Sequence, residues 1–175
     1  MHCDAVRVLA AADSRAVGAS TAVYYGSAVA AFSTDDVFGN RLDFDIARDG
    51  FVRGFRDDTA MRDAAAWLRD EGYRVIDVEA GGWEDERQLL SAFAAALSFP
   101  SYFGMNLDAL NDCLSDVAQG EYGWDARDTG LALALHGFRR FAERLPQTAS
   151  RVKGILQAQG RYAALFGNRL FTTLS

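Results

Sequence analysis

Three aspartates, Asp108, Asp112 and Asp116, recur at four-residue intervals in the segment LDALNDCLSDV. Residues spaced by four lie on one face of a helix, so the three carboxylates form a row along one side. A row of like charges destabilises an isolated helix by about 0.2–0.5 kcal/mol per adjacent pair, and no lysine or arginine interrupts this row. The spacing therefore indicates a negatively charged surface that meets a positively charged partner.

Two other interpretations of the aspartates remain open. A merely solvated helix face accounts for Asp108, since the helix dipole favours a carboxylate in the first turn, but Asp112 and Asp116 lie beyond that turn. Asp108 and Asp112 could also share Mg²⁺ or act as an acid–base pair. However, the sequence has no glycine-rich phosphate loop or nucleophile motif, and its two His and two Cys lack zinc-ligand spacing. We expect no metal, no cofactor and no enzymatic activity.

The row lies on a short predicted helix that follows Asn106, a plausible N-cap. The opposite side of this helix is apolar and comprises Leu107, Leu110, Leu114 and Val117, with Cys113 at its edge. A turn-rich loop, residues 119–130, then carries Trp124. The indole either anchors an interface beside the acidic helix or packs back onto the core, and the sequence favours neither position.

Charge is unevenly distributed along the 175 residues, whose net charge is −6. Residues 99–130 hold six acids and one base, whereas residues 131–175 hold seven bases and one acid. The overall negative charge argues against direct binding to nucleic acid or to an anionic membrane. The start of the chain is a poor signal peptide, no apolar run reaches bilayer length, and two lone cysteines suit a reducing compartment. We expect a cytoplasmic protein.

From residue 73 onward, strands alternate with helices. The predicted strands are Tyr73–Ala80, Leu131–Leu135 and Leu170–Leu174. The predicted helices, besides the acidic one, run from a cap at Asp85 to Leu97, over Phe138–Leu145 and over Thr148–Phe166. Strands joined by helical crossovers form parallel sheets, so the pattern predicts an α/β fold with a small three-stranded parallel sheet packed by helices.

The N-terminal part is predicted to be a small β-rich elaboration, residues 1–57, joined through a connecting helix at residues 58–72 to a domain at residues 73–175. Val6–Ala11 and Val23–Phe32 are apolar runs compatible with strands. Apolar and acidic residues alternate over Leu42–Ile46, which is typical of a half-buried strand. Asp49-Gly50 is a common hairpin turn, and Phe51–Phe55 can return as the antiparallel partner.

The segment Pro100–Leu114, PSYFGMNLDALNDCL, resembles the signature of the barstar family of intracellular inhibitors of the extracellular ribonuclease barnase. The resemblance covers residues 73–175 and implies a barstar-like fold. It also implies that the acidic helix enters a ribonuclease active site, where its carboxylates take the place of RNA phosphates. By match to the motif, Asp112 is the central acid, Asp108 its partner, Tyr102 an aromatic contact and Asn106 a contact at the helix start.

Two departures from the family pattern bear on the target. Asn111 stands where the family prototype has a tryptophan, and no acid lies between Glu143 and Ser175. The resemblance therefore implies an immunity-type inhibitor of a basic ribonuclease other than barnase. A barstar-fold binding or regulatory module without a ribonuclease target is the alternative. The predicted partner-binding residues are Tyr102, Asn106, Asp108, Asn111, Asp112, Asp116 and Trp124.

Overall fold

The computed structural model describes residues 30–39, 41–125 and 127–175. The strands in these ranges are β1 (Val52–Gly54), β2 (Arg74–Glu79), β3 (Leu131–His136) and β4 (Leu170–Leu174). The helices are α1 (Thr34–Phe38), α2 (Leu42–Arg48), α3 (Asp58–Asp70), α4 (Glu86–Leu97), α5 (Leu107–Gln119), α6 (Phe138–Arg144) and α7 (Pro146–Leu165). From residue 58 onward, each predicted element is present, with its ends within two residues of the prediction.

The strands form one parallel sheet in the order β1-β4-β3-β2. The sheet has four strands rather than the three predicted, because β1 pairs with β4 and places Val52 opposite Thr172. β1 comes from the N-terminal part of the chain and covers the edge that β4 would otherwise expose. The central strand β3 is buried along its whole length, which explains its uninterrupted apolar sequence LALAL.

Helices cover both faces of the sheet. Leu131, Leu133 and Leu135 of β3 belong to the larger core, together with residues of α4, α5, α6 and α7. Ala132, which points the other way, belongs to a second core with Ile46 of α2 and Leu68 of α3. Because alternate residues of a strand face opposite sides, the architecture is three layers with the sheet in the middle.

The prediction of a strand at Leu42–Ile46 is wrong, because these residues begin helix α2. The alternating pattern predicts that Asp43 faces solvent, but this side chain is completely buried. Its carboxylate accepts hydrogen bonds from the Tyr73 hydroxyl at 2.7 Å and from Arg41 and Arg169 at 3.1 Å. Burial acts to raise the pKa of Asp43, but the bonds from Arg41 and Tyr73 outweigh it and hold the pKa below its ordinary value.

The predicted hairpin at Asp49-Gly50 is also absent. Gly50 has a φ of +89° and follows the C-cap of α2, and the next residues enter β1, which runs parallel to β4. Gly50 therefore ends a helix rather than forming a hairpin turn. Both structures use a glycine with positive φ, so the Asp-Gly dipeptide is compatible with either. Of the other predicted N-terminal strands, Val6–Ala11 and most of Val23–Phe32 lie outside the described residues, and residues 30–32 form no strand.

Within the described ranges, no helix is both long enough and apolar enough to cross a membrane.

His136 ends β3 and is buried between two carboxylates. Its Nδ1 lies 2.8 Å from Asp58 and its Nε2 lies 2.9 Å from Asp77. Both ring nitrogens can donate to these acids only when the imidazole is protonated. Burial acts to lower the pKa of His136, but the hydrogen bonds to Asp77 and Asp58 raise it overall. The residue thus joins β3 to β2 and α3 through its two ring nitrogens.

Helix α7 contains two glycines in contrasting surroundings, which yields a stability prediction. A Cβ on Gly154 would meet nothing within 4 Å, whereas one on Gly160 would collide with the Phe51 side chain and lie 3.0 Å from the Leu170 carbonyl oxygen. We expect Gly154→Ala to raise the free energy of unfolding by about 0.5–1 kcal/mol. Gly160→Ala should lower it by about 1–3 kcal/mol through overpacking. Urea denaturation measures both, and a stabilising Gly160→Ala would contradict the packing.

Replacement of His136 should have a pH-dependent cost. A pKa raised in the folded state contributes stability that is complete below the unfolded value of about 6.5 and is lost as the pH rises through the folded value. His136→Gln should therefore lower the free energy of unfolding by about 1.5–3 kcal/mol at a pH below the unfolded value, and by less in alkaline solution. Urea denaturation across this pH range tests the sign, and a cost independent of pH would refute the buried imidazolium.

Candidate partner-binding surface on the acidic helix

Helix α5 begins and ends at residues suited to those positions. The Asn106 side chain accepts a hydrogen bond from the Ala109 backbone N–H at 2.8 Å, which confirms the predicted N-cap. Gly120 ends the helix in the left-handed conformation, with a φ of +85°. These two ends define which residues of the segment are helical.

Burial of the apolar side of α5 determines where its carboxylates point. That side is in the larger core and comprises Leu107, Leu110, Cys113, Leu114, Val117 and Ala118. On the opposite side, Asp108 and Asp112 are exposed and Asp116 is half-buried. Among the described residues, no lysine, arginine or histidine forms an ion pair with any of the three. The helix thus presents two exposed carboxylates one turn apart.

Asp116 differs from the other two because the following loop packs beside it. The Tyr122 hydroxyl donates to the Cys113 carbonyl at 3.0 Å and lies 3.5 Å from the Asp116 carboxylate. Burial raises the pKa of Tyr122, so the phenol stays protonated and remains a donor. Asp116 therefore lies at the edge of the exposed surface rather than at its centre.

Trp124 packs back against the larger core, which is the second of the two positions that the sequence left open. Its indole N–H donates to the Val117 carbonyl at 2.8 Å, and the side chain is half-buried. Through this hydrogen bond, Trp124 binds the loop of residues 119–130 to the C-terminal end of α5. Contact between Trp124 and a partner stays a prediction.

The turn before α5 exposes apolar groups beside the carboxylates. Tyr102 is 79% exposed and Met105 is 39% exposed. The turn is held by Phe99 and Phe103, whose ring centroids lie 5.1 Å apart in an edge-on arrangement. Large exposed side chains on a turn that is held in place by packing are suited to contact with another protein. Met105 was not predicted as a contact, because only the fold shows that its side chain points outward.

Asn111 is half-buried and turned towards α7 rather than towards solvent. The Asn111 side-chain oxygen accepts a hydrogen bond from Nε2 of Gln159 at 2.9 Å. The same nitrogen of Gln159 lies 3.3 Å from the backbone carbonyl oxygen of Asn111. Asn111 therefore helps to fix α5 against α7. Sequence reasoning missed Gln159, although a signal existed. This glutamine lies at helical spacing from the buried residues Leu156 and Ala163, so it interrupts an otherwise apolar stripe.

A groove of about 380 Å³ separates α5 from α7 on the exposed side. The lining residues from α5 are Leu107, Asp108, Asn111 and Asp112, and those from α7 are Arg151, Gly154, Ile155 and Ala158. Asp108 and Asp112 lie together in this groove, as their helical spacing predicts, and Asn111 lines it beside them. Trp124 lies at the other end of the helix. Arg151 is a member of this surface that the sequence did not reveal, because it is 39 residues away from Asp112 along the chain.

Two substitutions should separate the structural from the exposed residues of α5. Asn106→Ala removes the N-cap and should lower the free energy of unfolding by about 1 kcal/mol. Asp112→Ala removes an exposed charge that has no ion-pair partner among the described residues, and it should change the free energy of unfolding by less than about 0.5 kcal/mol. Chemical denaturation of both variants measures the difference. If Asp112→Ala unfolded the protein, the carboxylate row would be structural and the surface would not be a binding site.

The part of the chain that builds this surface is also the part that matches a known family. A family model described as Barstar (barnase inhibitor) matches residues 73–174, from β2 through β4 and including α5. No curated protein matches the sequence. The matched residues make up more than half of the chain and contain both α5 and α7, the two helices that line the groove. The chain belongs to the barstar family.

Proposed function

We propose that this chain is a protein inhibitor of a basic ribonuclease and that α5 blocks the enzyme's active site. The observation that carries the proposal is the exposed pair Asp108 and Asp112, unpaired among the described residues, on the signature helix of a barstar-family chain. The helix dipole accounts for Asp108 in the first turn, but a folding argument alone gives no reason to place a second carboxylate, Asp112, one turn later. A cationic partner does give a reason.

The chemistry of inhibition is substitution of carboxylate for phosphate. A ribonuclease binds the RNA backbone with Arg, Lys and His side chains, and a carboxylate accepts hydrogen bonds from the same groups. Asp112 lies near the middle of α5 and is the central acid in this proposal, with Asp108 one turn earlier as its partner. Tyr102 and Met105 lie on the preceding turn, where they would cover apolar surface beside the enzyme's cleft.

The packing of α5 supports the proposal because it fixes the carboxylates before a partner arrives. The helix is capped at both ends, buried along one side and hydrogen-bonded to α7 through Asn111 and Gln159. A surface ordered in advance loses little conformational entropy on binding. The concentrated negative charge would also accelerate encounter with a basic enzyme, and this effect weakens as salt is added.

The proposed place of action is the cytoplasm, where an immunity-type inhibitor would bind a nuclease before it leaves the cell. Cys113, the cysteine in the described part of the chain, is a free thiol on the buried side of α5. A free buried thiol suits a reducing compartment.

The target is a ribonuclease other than barnase, since Asn111 replaces the prototype's aromatic residue and points to α7.

The proposal predicts that Asp112 dominates binding. Immobilised chain should retain a ribonuclease from an extract of the source organism, and added chain should inhibit RNA hydrolysis by that enzyme. Asp112→Ala should weaken the complex by at least about 2 kcal/mol, or roughly 30-fold in Kd, because it removes the central acid. Titration calorimetry and an RNA hydrolysis assay measure the two effects.

Asp63→Ala is the matched control. Asp63 is an exposed aspartate on α3, a helix that packs on the other face of the sheet, and the substitution removes the same charge. This variant should bind within about twofold of the unaltered chain if only net charge changes. Equal weakening by the two substitutions would contradict a specific role for Asp112. Retention of a partner that has no ribonuclease activity would instead support a binding or regulatory module.

A further inference from the structure

The groove between α5 and α7 is lined by charges of both signs. Asp108 and Asp112 lie on the α5 side, and Arg151 lies on the α7 side. All three side chains are exposed, and no ion pair joins Arg151 to either aspartate in the described ranges. Each charge is therefore available to a separate group on a partner.

The shape of the groove leaves room for side chains from a partner. Its α7 side consists of Arg151, Gly154, Ile155 and Ala158, which are spaced as one face of a helix. Space next to Gly154 is open, since a Cβ there would meet no atom within 4 Å. Ile155, with Leu107 opposite, gives the groove an apolar base. The aliphatic stem of a long basic side chain can lie on such a base while its charged end reaches a carboxylate.

We propose that Arg151 sets the specificity of the proposed inhibitor, so that the groove binds a target surface on which a basic side chain lies next to an acidic one. This inference rests on the proposed function. The basic group meets Asp108 and Asp112, and the acidic group meets Arg151. A target without the acid would place its own positive charge against Arg151, and such like-charge contacts are strongly unfavourable at an interface.

The position of Arg151 distinguishes it from the neighbouring cation of the same helix. Lys153 is also exposed, but it lines a different cavity together with Phe138 and Ala142 of α6. Lys153→Glu therefore changes the net charge by the same amount as Arg151→Glu without altering the groove. This pair of substitutions separates a local effect of Arg151 from the effect of total charge.

An oligo-arginine peptide is the probe, because it presents guanidinium groups and contains no acidic side chain. Titration calorimetry at low salt compares the binding of this peptide to the unaltered chain, Arg151→Ala, Arg151→Glu and Lys153→Glu. Arg151→Glu should bind at least about tenfold more tightly than the unaltered chain, with Arg151→Ala between them. Lys153→Glu should change the affinity by less than about threefold, since it lies outside the groove.

Other outcomes overturn the inference. Equal gains from Arg151→Glu and Lys153→Glu would show that only net charge matters. An Arg151→Glu variant that binds the oligo-arginine peptide no better than the unaltered chain, including the case in which neither binds, would show that Arg151 does not select against a wholly basic surface. In those cases the proposed function is still tested separately by the Asp112 experiment on the retained ribonuclease. Failure of the Arg151 inference can therefore be distinguished from failure of the proposed function.

Discussion

The surface of α5 depends on burial of the helix's opposite side. Leu110, Leu114 and Val117 are fully buried against the helical layer and the sheet. Removal of such side chains from water contributes roughly 1.5–3 kcal/mol each, far more than the repulsion between neighbouring aspartates on the exposed side. The core therefore dictates the rotation of the helix about its axis. Because that rotation is fixed, Asp108 and Asp112 face outward whatever their mutual repulsion.

The N-terminal part of the chain completes the fold that holds this helix. Arg41 and Arg169 occupy the same place in two copies of the sequence FGNRL, and both bind Asp43, at 3.1 Å in each case. Arg169 also lies 4.5 Å above the ring of Phe32. These contacts join α2 and its preceding residues to the start of β4. Helix α2 is thus bonded to the matched family region through Arg169, and strand β1 pairs with β4 of that region. The family model includes neither α2 nor β1.

The sequence predicted the elements after residue 58 well because local signals agreed there with tertiary packing. Asp57, Asp85 and Asn106 each accept a bond at a helix start, and the apolar stripes have helical spacing. The failure at Leu42–Ile46 has a tertiary cause, since nothing local shows that Asp43 will be buried by arginines up to 126 residues away. The acidic face of α5 followed from spacing alone. Arg151 and Gln159 did not, because only the packing of α7 on α5 brings them to the site.

In the proposed mode of inhibition, the carboxylates of α5 occupy the place of RNA phosphates, so inhibitor and RNA must exclude one another. The most direct test is steady-state hydrolysis of RNA by the retained ribonuclease at several concentrations of this chain. We expect the apparent KM for RNA to rise with inhibitor concentration while kcat stays unchanged, since saturating RNA displaces α5. A fall in kcat with an unchanged KM would mean that both bind at once, and would contradict phosphate mimicry.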